Sequence, residues 1–273
     1  MGRYTLNPAM PVLLRPDGVV QVGWDPRRAV LVRPPTGLTA AALADLLRTL
    51  QSGATLADLQ ARFEVDVGEL VASLLDAGVV TAAARRRRRG ASIRIHGRGP
   101  LSDLLAGALR CSGATVTRSS VTQAAPPHTT DLVVLSDFLV TDPRVVRELH
   151  TAGVAHLPVR LRDGAGLVGP LVIPGVTSCL DCADLHRSDR DAAWPAVASQ
   201  LRNAVGSADR ATVLATAALA LNQIDRVIAA VRAGSEAGTS TEPPPTLDTT
   251  LEFDVDAGAI MARRWSRHPR CWC

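Results

Sequence analysis

The chain has 273 residues, with 30 basic and 26 acidic side chains and a formal net charge of +4. Every basic residue is Arg and none is Lys, which excludes chemistry that needs a protein lysine: a Walker A phosphate loop, a Schiff-base aldolase, a pyridoxal-phosphate enzyme, or an adenylating enzyme with an essential lysine. Apolar residues make up 47%, enough for a substantial core in one large domain or two ordinary ones.

No apolar run reaches the roughly 18 residues of a membrane span. The opening MGRYTLNPAMPVLL lacks signal-peptide architecture. The expectation is a soluble, cytoplasmic protein, with no membrane partner. Its Arg and Ala bias fits a GC-rich bacterial source, and five Cys in that compartment point to metal or reactive thiols rather than disulfides. Residues 1–84 hold seven Arg and eight acids, and residues 92–273 hold eighteen of each. The excess charge is therefore Arg85 to Arg89, five in a row, read as a solvated linker at 85–91. A nucleic-acid contact is its competing reading.

In residues 1–84, three strand-like pieces come first: Val12–Arg15, Val19–Trp24 and Ala29–Val32, separated by Pro16-Asp17-Gly18 and Asp25-Pro26 turns. Three helical patterns follow: Thr39, an N-cap, to Leu50; Leu56 to Phe63; and Asp66 to Ala77, closed by Gly78. This predicts a winged-helix-like module of three strands and three helices.

Residues 92–273 read as a Rossmann-like α/β domain. Strands are predicted at Ser92–His96, Thr115–Arg118, Asp131–Ser136 and His156–Leu161, with helices at Leu101–Ser112 and Pro143–Ala152. Asp209 to Val231 is a long apolar helix for a core or an interface. Gly234 to Thr246 is a loop, and Leu251–Asp256 with Ile260–Trp265 closes the chain as a hairpin. Cys111 is expected to pack on the apolar side of its helix.

Two short cysteine pairs, Cys179 with Cys182 and Cys271 with Cys273, are separated by 88 residues. Four thiolates in two close pairs are the recipe for a structural tetrahedral Zn2+ site with no open position. Buried free thiols or a redox CxxC are the other readings, but a redox pair leaves the second couple unexplained. Trp272 is expected to shield the ion. Asp184, His186, Arg187, Asp189 and Arg190 form a polar cluster read as a solvated loop, with a partner contact as the competing reading, and Trp194-Pro195 is read as the anchor of a loop or dimer contact.

Gly97-x-Gly99 between a strand and a helix has the layout of a phosphate-binding turn; a tight strand-to-helix turn kept for packing is the competing reading. The third glycine position is Ser102, and the next strand (Thr115–Ser120) ends in no acid that could hold a ribose.

Together, the glycine turn, the DLVVLSD strand ending at Asp137, the stretch AHLPVRLRDGAGLVGPLVIPGVTSCLDC, the long helix and the terminal cysteines resemble the ThiF/MoeB/ubiquitin-activating-like superfamily over residues 92–273. DLHRSDRDAAWPAVASQL and HPRCWC resemble, more narrowly, actinobacterial cyclodehydratase-family proteins that bind leader peptides in thiazole/oxazole-modified peptide biosynthesis. Residues 8–80 resemble the PqqD-like recognition element of that group. The resemblance implies that a leader peptide adds as a strand along Ala29, Val30, Leu31, Val32 and Arg33. It would also pack on an exposed helix face carrying Glu69, Val71, Ala72 and Leu75. A separate ATP-dependent cyclodehydratase subunit is the implied partner, and a homodimer the implied assembly.

The departures are equally specific. The adenylating relatives use a phosphate lysine, which is missing here, and a magnesium-holding aspartate, near whose place stands Asp137, the one catalytic candidate. They also use a thioester cysteine between the zinc pairs, and none is present. Gly97 and Gly99 are the only cofactor-binding candidates, and ATP is not expected. The sequence thus favours a leader-binding scaffold. The alternatives are an ATP-dependent adenylyltransferase acting on a sulfur carrier or peptide C-terminus, and a DNA-binding regulator, which the near-neutral module disfavours.

Overall fold

A meander begins the first of two units. In the computed structural model, residues 2–83, 90–120, 130–202, 204–233 and 243–273 are described. The chain divides at Met1–Arg87 and Arg88–Cys273. The Arg85–Arg89 run and residues 234–242 of the expected loop lie outside the described residues.

The first unit contains β1 (Arg3–Leu6), β2 (Val12–Leu14), β3 (Val20–Val22), β4 (Val30–Val32), α1 (Ala40–Gln51), β5 (Ala54–Thr55), α2 (Leu56–Phe63), α3 (Gly68–Asp76) and β6 (Val80–Ala83). The three expected strands pair antiparallel in the order β2-β3-β4. Alternation sets their two faces: Val12, Val20, Val22 and Val32 are buried, while Leu13, Gln21 and Leu31 form a cross-strand row on the other face. Helix α1 starts where the Thr39 hydroxyl accepts the Ala42 N–H, and it buries Leu43, Leu46, Leu47 and Leu50. Helix α2 starts on a reciprocal Thr55–Asp58 capping box.

The strand count needs correction. A second small sheet, β5-β1-β6, joins the N-terminal strand to the strand after α3. Its members are two to four residues long, too short to show a period in sequence. Val71 needs correction too. Val67, Val71 and Leu74 form an i, i+4, i+7 stripe, so Val71 is 1% exposed and belongs to the core, not to an outer face. Glu69 and Ala72 are exposed, and Leu75 is half-buried.

The second unit runs β7 (Ser92–His96), α4 (Pro100–Leu109), β8 (Thr115–Ser119), β9 (Leu132–Ser136), α5 (Pro143–Thr151), β10 (His156–Arg162), β11 (Ala165–Val168), α6 (Leu180–Arg190), α7 (Trp194–Leu201), α8 (Arg210–Ala233), β12 (Thr249–Asp254) and β13 (Ala259–Arg264). One seven-stranded sheet has the order β13-β12-β11-β10-β9-β7-β8. Strands β8, β7, β9 and β10 are parallel, and the rest are antiparallel.

Successive residues of the central strands face opposite layers. Ile93, Ile95, Leu132, Val134, Leu157 and Val159 pack with Leu101 and Leu105 of α4 and with Ala220 and Ile224 of α8. Val133 and Leu135 pack with Val145, Val146 and Leu149 of α5 and with Val172 and Leu180. Because both faces are covered, Leu132–Ser136 is buried throughout. Helix α8 is long and apolar enough to cross a membrane by length and composition, yet its Ala217, Ala220, Ile224 and Ile228 belong to this core. At Gly166 of β11 a Cβ would meet the Thr216 hydroxyl of α8 at 1.8 Å, so the glycine allows helix and strand to touch.

Cys111 lies exposed in the turn after α4, because the helix ends at Leu109 before it can turn that side chain inward. Helices α6 and α7 replace the expected loop. Their sequence hid them because α6 is mostly polar and lacks a long apolar stripe.

His156 opens β10 fully buried, its Nδ1 3.0 Å from the Val154 carbonyl oxygen. Burial pushes its pKa down to about 4, so it folds neutral. The unfolded chain then binds more protons between about pH 6.5 and 4, and stability falls as pH falls through that window. Acidification from about pH 7 to 5 should cost about 2 kcal/mol through this residue. Chemical denaturation of the wild type and His156→Gln across that range checks this: the variant, less stable at neutral pH, should lose that part of the slope.

Candidate metal centre and nucleotide turn

The two cysteine pairs meet. Cys179 and Cys182 sit at the start of α6, and Cys271 and Cys273 come back from the end of the chain. The Sγ separations are 3.7 Å for Cys179–Cys182, 3.5 Å for Cys179–Cys271 and 3.4 Å for Cys182–Cys273, and all four sulfurs lie within 4.8 Å of one another. Zn–S bonds of about 2.3 Å in a tetrahedron put sulfurs about 3.8 Å apart, whereas a disulfide needs about 2.05 Å. The four sulfurs could therefore hold one metal ion.

The surroundings favour thiolate at one corner. Burial opposes ionisation of Cys182, but the His268 backbone N–H, 3.3 Å from its sulfur, and hydrogen bonding from the Cys179 backbone outweigh it, and its pKa lies below the ordinary value. Burial pushes Cys179 up, and burial with its Cys182 contact pushes Cys273 up to about 11. A divalent cation supplies the charge that lets all four ionise together.

Polar struts from α6 hold the returning tail. Asp189 accepts from the Nε2 of buried His268 at 2.8 Å and pairs with Arg270. The hydrogen bond from His268 is the main reason the Asp189 pKa is lowered. The His186 Nε2 lies 3.1 Å from the Ser266 carbonyl oxygen, and its ring meets that of His268 edge-on with centroids 4.8 Å apart. Asp184 accepts from Arg187 at 2.6 Å and from the Trp194 indole at 3.2 Å. The residues expected as a solvated loop are therefore a helix fastened to the tail. Trp272 needs a correction: it is fully exposed and shields nothing. A two-residue spacing that aims both flanking sulfurs inward leaves the middle side chain pointing out.

At the glycine turn the structure explains both glycines without a ligand. A Cβ on Gly97 would lie 2.3 Å from the Ser136 carbonyl oxygen, and one on Gly99 would lie 2.7 Å from the Asp137 carboxylate. Asp137 is 1% exposed, has φ 73°, and accepts the backbone N–H groups of Leu101 at 2.9 Å and Ser102 at 3.1 Å. These belong to the first turn of α4, where a bound phosphate would take its hydrogen bonds. The Ser102 hydroxyl closes onto Gly99 N–H at 3.0 Å. Asp137 is thus placed as an internal helix cap.

Among the expected peptide-binding residues, β4 is an edge of its sheet, with Leu31 58% exposed and Val32 turned to the core. Ala29 and Val30 are half-buried, and Arg33 is exposed just past β4. A further exposed apolar residue, Trp24 at 82%, follows β3. It escaped notice because it sits among turn residues.

No protein-family model and no curated protein matches the sequence. Solved structures do match. All of the chain superposes on a heterocyclase in complex with substrate and cofactor (TM-score 0.69, 16% identity) and on the heterocyclase TruD (0.68, 17%). It spans 39% and 42% of those two chains. It also superposes on E. coli MccB with ATP (0.59, 12%), covering 99% of each chain. At these identities the likeness establishes a fold shared with these heterocyclases and with MccB.

The tail clamp makes a prediction. Cys182→Ser should bring bound metal well below one equivalent, as read by elemental analysis of the purified chain. Asp189→Ala keeps all four sulfurs but frees His268 and Arg270, and should weaken metal affinity by about 10-fold or more in a chelator competition.

Proposed function

We propose that this chain binds the leader of a ribosomally made precursor peptide and presents it to a separate ATP-using cyclodehydratase, with no ATP chemistry of its own. The observation that carries this reading is the open edge of β4, where Leu31 stands exposed in a row with Leu13. An extended peptide would complete the β2-β3-β4 sheet through backbone hydrogen bonds and use the leucines for selectivity. The first unit then serves as a PqqD-like recognition element of winged-helix type, with Glu69, Ala72 and Leu75 of α3 as flanking contacts.

Two further features support it. Three of the MccB structures include MccA or a form of it. Asp137 occupies the α4 N–H groups that a phosphate would need, and the sequence has no lysine to assist one. Zn2+ at Cys179, Cys182, Cys271 and Cys273 would be structural, and the assembly is read as a cytoplasmic homodimer.

A second reading is favoured by the end-to-end likeness to MccB with ATP: an adenylyltransferase acting on a peptide or sulfur carrier. Two measurements decide. Fluorescence anisotropy with the leader of a precursor encoded beside this gene should give saturable binding. Leu31→Asp should weaken it by about 10-fold or more at unchanged stability, since Leu31 is already exposed. The pure protein should give no ATP–pyrophosphate exchange above background. Robust exchange establishes the adenylyltransferase instead.

A further inference from the structure

A cleft of about 260 Å³ lies between β10, the start of α5 and helices α6 and α7. This is near the small end of ligand pockets, which begin at about 300 Å³. Its walls are largely apolar, from Leu139, Val146, Leu180 and Leu201, with Trp194 at one side.

Among the described residues, two of the three arginines around it are paired with carboxylates, and Arg160 is the exception. Arg162 binds both carboxylate oxygens of Glu252 at 3.0 Å. Arg187 pairs with Asp184 and lies over the rings of Trp194 and Trp265, 5.1 and 5.2 Å from their centroids. Arg160 has a backbone carbonyl oxygen, that of Leu139, at 3.2 Å. Among the described residues no carboxylate lies within ion-pair distance of it. Asp163 and Asp181 also line the cleft, and Asp184, taken up by Arg187 and the Trp194 indole, acts on Arg160 only through space.

Burial pushes the Arg160 pKa down to about 10, so the guanidinium stays charged at neutral pH. A guanidinium carries five N–H donors in a planar fork. Holding it in a cleft with most of them unused is costly unless an anion completes it.

The geometry points to a ligand-binding cleft for a carboxylate on a compact apolar body, the carboxylate seated on Arg160 and the body against Leu139, Val146 and Leu201. One free guanidinium matches a monoanion in a bidentate pair. A phosphate dianion calls for more cations or a nest of backbone N–H groups. The site stands independently of the leader-peptide reading, since it uses the second unit alone.

The test titrates the full chain with N-acetyl-leucine, N-acetyl-leucinamide and inorganic phosphate, following tryptophan fluorescence. The acid should give a saturable change that Trp194→Phe abolishes. The amide, of the same shape without the charge, should bind about 30-fold more weakly or worse. Arg160→Met should weaken the acid to a similar extent, and Arg118→Met on distant β8 should leave it unchanged. Arg160→Lys, which keeps the charge, should retain the preference for acid over amide at reduced affinity, separating loss of the ion pair from loss of folding. Equal binding of acid and amide, displacement of the acid by an equal concentration of phosphate, or no saturable change with the acid would each overturn the assignment.

Discussion

The second unit depends on bringing the end of the chain back to the start of α6. Residues 266–273 lie outside the sheet and contribute no strand, so they have no ladder to hold them. Four converging sulfurs and the Asp189 clamp supply that restraint instead. Ordering each residue costs about 1–2 kcal/mol of backbone entropy, and surface ion pairs such as Asp189–Arg270 return little. A metal ion held by four thiolates would return on the order of 10 kcal/mol, the same order as that cost, and the polar struts select the orientation in which both outer sulfurs face in.

Helix α6 is the hub of this arrangement, and its polarity is the reason. Cys182 and Asp189 reach the tail, while Asp184 and Arg187 reach the other way, to Trp194 of α7 and Trp265 beyond β13. The Trp265 indole in turn donates to Thr250 of β12 at 3.0 Å. An apolar helix could have packed on the sheet but could not have joined metal centre, cleft and hairpin through directional contacts. Each cation–aromatic contact is worth about 0.5–2 kcal/mol, so Arg187 braces one wall of the cleft against both indoles.

Most regular elements were legible because their signals are local. Thr39 and Thr55 announce helix starts, and Leu132–Ser136 reads as a strand buried on both faces. The cysteine spacing foretold the sulfur cluster because short pairs constrain geometry by themselves. What was missed depends on partners distant in sequence. Strands β1 and β6 stabilise each other across 70 residues or more, and α6 is stabilised by a tail 80 residues later. The exposure of Trp272 follows from sulfur direction, which composition does not carry.

The glycine turn shows how one motif can mean two things. Sequence records that Gly97 and Gly99 permit close approach, but not what approaches. Here it is the end of β9: the Ser136 carbonyl and the Asp137 carboxylate fill the space, and α4 receives its negative charge from within the chain. A carboxylate at a helix N-terminus satisfies the dipole and the orphan N–H groups. The same donors cannot also receive a phosphate while Asp137 remains seated, and a phosphate arriving beside it would meet like charge without a lysine to offset it. Absence of lysine and presence of the internal cap therefore act in one direction. A phosphate taking these hydrogen bonds would first have to displace Asp137 from Leu101 and Ser102.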